Sequence, residues 1–303
     1  MNLQQLETFV RVAEHRSFSK AANLLHIAQP ALSRQVRALE TELRETLLLR
    51  TGRGVELTEA GQRLLVHAHG ILQQVDWAKA DLHSQRGEPV GQIVVGLPPS
   101  LARRLTLPLI DSFSKQMPKA HLVIAEGFSV NIAEWLSTGR MDLGLVYSPE
   151  AQPDLEITPV LGERMHLIAP ASALPRNAEV AFAELPRFAL IMPPRGQIFR
   201  KLMEAQAALL QVKLNVVWEV SSVPAILDLV RGGYGYAALT GSALRAHAPE
   251  QGLSQHPIIQ PHVDCRLCLV QSAKKRNTPL LQRSREILQR ISREVCGRSG
   301  SAA

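Results

Sequence analysis

In one nine-residue stretch Gln29, Ala31, Ser33, Arg34 and Arg37 have side chains whose chemistry suits base edges and phosphates, and Pro30 stands among them as a further candidate contact. A glutamine amide matches the adenine edge, arginine matches guanine or a phosphate, and a small alanine accommodates a thymine methyl. Leu32, Val36 and Leu39 recur at helical spacing among them and would turn inward, which leaves the polar set facing out. The interval from Arg16 to Leu39 holds Arg16, Lys20, Arg34 and Arg37 and no acid, and Glu40, Glu42 and Glu45 follow directly. A basic face meeting phosphates has this asymmetry. A solvated polar face in a three-helix bundle is the alternative.

The surrounding elements favour the first reading. Leu3, Leu6, Phe9, Val10 and Ala13 predict an amphipathic helix over 3–14. Ser17 is an N-cap for a short second helix with Phe18, Ala21, Ala22, Leu24 and Leu25 as its apolar face. After the break His26-Ile27-Ala28, Gln29-Pro30 opens a third helix, since proline is tolerated at a first helical position. Two helices joined by a turn this short have helix-turn-helix spacing. Residues 47–58 then predict strand, turn, strand, with Gly52 and Gly54 reversing the chain and Arg53 at the tip. Such a basic wing reaches a minor groove. Ser17, Lys20, Arg50 and Arg53 complete the candidate DNA contacts.

From Thr58 the chain runs without proline to Pro89. Leu64, Ala68, Ile71, Val75, Ala78 and Leu82 alternate spacings of four and three, a coiled-coil seam of about three heptads. A dimer is expected, because a helix-turn-helix gains affinity by placing one copy on each half-site.

Beyond Pro89 strands and helices alternate: strand 92–97, helix 100–116, strand 121–126, helix 131–138, strand 142–147. The pattern recurs over 188–240, which predicts two α/β lobes built on parallel sheet. Ligands bind beyond the carboxyl ends of such strands, at helix starts whose free N–H groups suit anions. The candidates for a small-molecule effector are Pro99, Ser100, Ser129, Gly196, Gln197, Ser222 and Thr240. Each serine is alternatively a plain N-cap.

The first 61 residues resemble the amino-terminal signature of LysR-type transcriptional regulators. The resemblance runs through Ser17-Phe18-Ser19-Lys20-Ala21-Ala22, Leu25-His26, the run from Gln29 to Glu40, Arg50-Thr51-Gly52-Arg53-Gly54, and Leu57-Thr58-Glu59-Ala60-Gly61. Arg44 and Leu48 stand where the family usually has Gly and Phe. That Gly normally ends the recognition helix in a left-handed turn, which would cost an arginine about 1 kcal/mol. The later phrases Arg140-Met141-Asp142-Leu143-Gly144-Leu145 and Leu229 to Ala237 resemble the family's effector-binding domain. Gly96 to Ser100 and Ala133-Glu134-Trp135-Leu136 are similar to the nitrogen-assimilation-control-like branch.

The resemblance implies an α+β multidomain chain: a winged helix-turn-helix over 1–58, a dimerising linker helix over 59–89, and a two-lobed domain over 90–303 like periplasmic solute-binding proteins. Lobe I would span about 90–160 and 267–303, lobe II about 161–266. It implies double-stranded DNA as partner on an imperfect palindrome, self-association as a dimer of dimers, RNA polymerase as a candidate partner, and effector contacts at Ser100, Ser129 and Thr240.

Bulk properties agree. The net charge of +7 is no DNA footprint, since residues 274–303 alone hold eight Lys/Arg against two Asp/Glu. No apolar run reaches the roughly 18 residues a bilayer span needs, and Glu7 and Glu14 break any signal peptide, so a cytoplasmic protein without membrane partners is expected. Three cysteines offer no disulfide framework. Cys265 and Cys268 form C-x-x-C, but on a predicted strand residues three apart face opposite sides. Gly233 to Ala238 fits G-x-G-x-x-A with helix before and strand after, the reverse of a dinucleotide site. No metal, cofactor or catalytic residue is expected, and the alternatives are a solute-binding module or an enzyme on the α/β scaffold.

Overall fold

The computed structural model describes residues 1–52, 54–83, 89–175, 178–247, 252–273, 275 and 277–297; the side chains of 73, 76, 77, 80–83, 246 and 247 lie outside the description. The chain forms two compact units, Met1–Arg86 with Thr138–Arg140, and Gly87–Ser137 with Met141–Ala303.

The first unit begins with α1 (Leu3–His15), α2 (Phe18–Leu24) and α3 (Gln29–Leu43). Asn2 and Gln5 cap α1 reciprocally, each side chain accepting the other's backbone N–H at 2.8 and 2.9 Å. Ser17 caps α2 by accepting from Lys20 N at 3.3 Å. Pro30 stands in the first turn of α3. Phe9, Ala21, Leu32, Val36 and Leu39 meet in one core. Burial of each leucine or valine there contributes about 1.5–3 kcal/mol. Leu24 departs from the expected apolar face: it is 55% exposed.

Strands β1 (Leu48–Thr51) and β2 (Gly54–Leu57) pair antiparallel as the wing. Val55 N donates to Arg16 O at 3.0 Å, and Gly54 sits at φ +135°, where an added Cβ would stand 2.7 Å from that carbonyl. Glycine is required there for both reasons. Thr58 Oγ1 accepts from Gly61 N at 2.9 Å and opens α4 (Glu59–His83).

Helix α4 is not a separate element. Its first half packs on α1, and Ala68 is fully buried in the same core as Phe9 and Leu32. This corrects the expected seam: Ala68 is used up within its own chain, and Leu64 packs half-buried on that core. Ile71, Val75 and Ala78 remain partly or largely exposed, while the Leu82 side chain lies outside the description. A stripe at 3.5-residue spacing cannot say whether its partner is the same chain or another.

The second unit holds β3 (Gly91–Leu97), α5 (Pro99–Gln116), β4 (Ala120–Glu126), α6 (Ser129–Ser137), β5 (Leu143–Tyr147) and a long β6 (Leu155–Pro170). There follow β7 (Val180–Ala181), β8 (Leu190–Met192), α7 (Ile198–Leu209), β9 (Val216–Glu219), α8 (Val223–Arg231), β10 (Tyr236–Thr240), α9 (Gly241–His247), β11 (Leu253–Ile259), β12 (Asp264–Ser272) and α10 (Pro279–Gly297). The strand order is β4-β3-β5-β12-β6-β10-β8-β9.

The sheet is mixed, which corrects the expectation of parallel strands. β3 is parallel to β4 and β5, but β12 is antiparallel to β5 and β6, and β10 to β6. The cause is β6 itself. Its first part, through Arg164, pairs with β12 in lobe I, and from Met165 it pairs with β10 and β11 in lobe II. One strand thus serves both lobes. The chain returns to lobe I at Asp264, three residues before the expected Leu267. Cys265 and Cys268 face different clusters of the core, as strand geometry requires.

Candidate nucleic-acid interface and effector cleft

On α3, Gln29, Pro30, Arg34 and Arg37 are exposed, and Ala31 and Ser33 are half-exposed beside them. All six expected contacts therefore stand outward on one helix whose Leu32, Val36 and Leu39 fill the core. Lys20 is exposed, Ser17 is half-buried as the α2 cap, and Arg53 lies outside the described residues. A groove runs from Ala31 and Arg34 to Asn2, Gln4 and Gln5 of the α1 start. Those amide side chains were not among the contacts expected from the sequence.

Two wing contacts set its geometry. Glu40, at the acidic end of α3, accepts from Leu47 N and Leu48 N at 2.8 and 3.2 Å and holds the base of β1. Arg50 Nη2 donates to Ser33 Oγ at 2.9 Å, and its guanidinium lies 4.5 Å over the Phe18 ring. Arg44 ends α3 in the left-handed region, at φ 55° and ψ 34°, as a glycine would.

In the second unit the helices α5, α6, α7 and α8 start around one narrow cleft between the lobes. Pro99, Ser100, Ser129 and Gln197 line it. Three other candidates are placed differently. Gly196 is exposed at φ +89°, one residue short of the lining. Ser222 caps α8 by accepting from Ala225 N at 3.5 Å, and its neighbours Ser221 and Val223 face the cleft instead. Thr240 is fully buried at the end of β10. It is not among the residues lining the cleft.

Tyr147 was missed. It lines the cleft at the end of β5, and its ring packs against Phe199 of lobe II with centroids 5.1 Å apart. Its backbone N donates to Ser129 Oγ at 3.0 Å. Its hydroxyl donates to Glu163 Oε2 at 2.7 Å, Ser242 Oγ donates to the same oxygen at 2.8 Å, and Thr240 Oγ1 lies 3.1 Å from Ser242 Oγ. Thr240 therefore meets the cleft only through this chain. Burial, with the Glu163 carboxylate beside it, holds the Tyr147 hydroxyl well above its ordinary pKa and so protonated. The only sequence signal for Tyr147 was its place at a strand end pointing toward helix starts.

A winged helix-turn-helix with its polar recognition face outward, carried with a two-lobed ligand-binding architecture, defines a DNA-binding transcriptional regulator. Residues 3–62 match the bacterial regulatory helix-turn-helix proteins of the lysR family, and residues 86–292 match the LysR substrate binding domain. The chain belongs to the LysR family. It is 30% identical over 290 residues to the nitrogen assimilation regulatory protein nac of Klebsiella aerogenes, covering 95% of this chain and 94% of that one. It is 27% identical to the hydrogen peroxide-inducible genes activator of Haemophilus influenzae, covering 97% of each. A solved structure of full-length CbnR with its target DNA shares the fold, with TM-score 0.70 and 24% identity over 96% of this chain and all of that one. Among the described residues no helix is long and apolar enough to cross a membrane.

Proposed function

We propose that this regulator binds an imperfect palindrome as a homo-oligomer in the cytoplasm. Its α3 helix enters the major groove and its wing lies on the adjacent minor groove. The observation that carries this is the outward set of Gln29, Ser33, Arg34 and Arg37 on a helix whose opposite face is sealed in the core. Gln29 reads adenine, and Arg34 and Arg37 take guanine or phosphate. Ile71, Val75 and Ala78 form the seam to a second copy, supported by the exposure they keep after Leu64 and Ala68 turn inward. RNA polymerase is a further partner of the DNA-bound form.

The cleft takes a small effector with an apolar body and an acceptor or anionic group. Prolines, phenylalanines and Tyr147 supply the apolar walls, and four helix starts supply N–H groups. Closure on the ligand changes the angle between subunits and hence the bend of the DNA.

The test is a gel-shift titration across salt with the full chain. Affinity falls steeply with salt because bound phosphates release counterions. Arg34→Ala with Arg37→Ala abolishes preference for the operator. Sequence-specific binding that survives the pair would rule out α3 as the reading helix.

A further inference from the structure

Arg50 is anchored on both sides. One guanidinium nitrogen donates to Ser33 Oγ at 2.9 Å, and Phe18 of α2 lies 4.5 Å beneath the plane. The residue sits on β1 of the wing, so a single side chain ties the wing to α2 and to the reading face of α3. A planar cation on an aromatic face is held in one orientation, which a lysine cannot reproduce. Glu40 on Leu47 N and Leu48 N, and Arg16 O on Val55 N, fix the base of the same hairpin.

The contact also changes what Ser33 can do. A serine hydroxyl has one proton and two lone pairs. Arg50 occupies one lone pair with a charged donor, which polarises the hydroxyl and strengthens it as a donor through its one proton. We infer that Arg50 is a positioning residue for DNA recognition: it fixes the wing against the recognition helix and makes Ser33 a hydrogen-bond donor, selecting an acceptor such as guanine O6 or N7, or thymine O4, at one base position of each half-site. This rests on the reading of α3 as the recognition helix.

The probes are duplexes selected from a randomised pool by the full-length wild-type protein, with the unselected pool as the non-specific reference. Arg50→Met, Arg50→Lys, Ser33→Ala and the double variant Ser33→Ala/Arg50→Met are compared, each with a melting curve to confirm folding. Arg50→Met and Arg50→Lys each lower affinity for the selected duplex about tenfold more than affinity for the pool. The double variant is no weaker than either single one, because the two residues act as a unit. Repeated selection with Ser33→Ala and with Arg50→Met relaxes the same base position.

If Arg50→Met instead weakens pool and selected duplex alike, lowers the salt slope by about one per protomer, and adds to Ser33→Ala, Arg50 is an ordinary phosphate ligand and the inference is overturned. A wild-type protein that enriches no sequence at all overturns the proposed function itself, which is a different result.

Discussion

The Tyr147 hydroxyl and the Glu163 carboxylate form a hydrogen bond of 2.7 Å behind the effector cleft. Ser242, from lobe II, donates to the same oxygen. One face of Tyr147 therefore meets the cleft while its hydroxyl helps fasten the lobes at the strand they share. Tyr147→Phe keeps the packing on Phe199 and removes one hydrogen bond to a charged group. The expected loss is about 1–2 kcal/mol, read as a lower urea midpoint. An unchanged midpoint would show that the bond carries no stability.

Arg44 ends α3 at φ 55°, a conformation that glycine adopts without steric cost. Arg44→Gly is expected to stabilise the first unit by about 1 kcal/mol, less whatever the freer unfolded chain takes back. The helix end is already left-handed, so DNA affinity should hold. A fall in stability would mean that the arginine side chain makes a compensating contact.

The C-x-x-C spacing of Cys265 and Cys268, with Cys296, raises the question of thiol chemistry. All three cysteines here are buried. Burial pushes the Cys296 thiol from its ordinary value near 9 up to about 11, and Cys265 higher still. The protonated thiols' contribution to stability is intact below pH 9 and is lost as pH rises through the folded-state value. Native protein at neutral pH should resist alkylation and should bind DNA equally before and after peroxide. Rapid labelling of a native thiol at pH 7 would contradict this.

Lys275 and Asp142 form a buried ion pair, with 5% and 1% of their side chains exposed, and Asp142 also accepts from Val94 N. Removing one partner takes the opposite charge from beside a buried ionisable group. Lys275→Met is expected to cost about 3–5 kcal/mol, and adding Asp142→Asn should recover much of it. If the double variant is as unstable as the sum of the singles, the pair is not the source of the loss.

Much of the interface was legible in the residues themselves. Local spacing decides which side of a helix faces out, so Gln29, Ser33, Arg34 and Arg37 could be placed from Leu32, Val36 and Leu39 alone. The capping signals at Ser17 and Pro30 act within a few residues and read equally well. The cleft was half legible. Ser100, Ser129 and Gln197 stand at helix starts and could be found as such, whereas Thr240 looked the same in the sequence and is buried. Leu24 failed for a related reason: helical spacing names a face but not how far the neighbouring helix covers it.

The sequence by itself determined the outward polar face of α3, the wing and the alternation of two lobes, because these follow from interactions a few residues apart. Tertiary structure alone decided three things. It spent Ala68 within its own chain rather than on a second copy. It ran β6 through both lobes and so made the sheet mixed. It brought Arg50 onto Ser33 and Phe18, and Tyr147 onto Glu163 and Ser242. Each depends on residues distant in sequence meeting across packed elements, and no local period records which residue will be opposite.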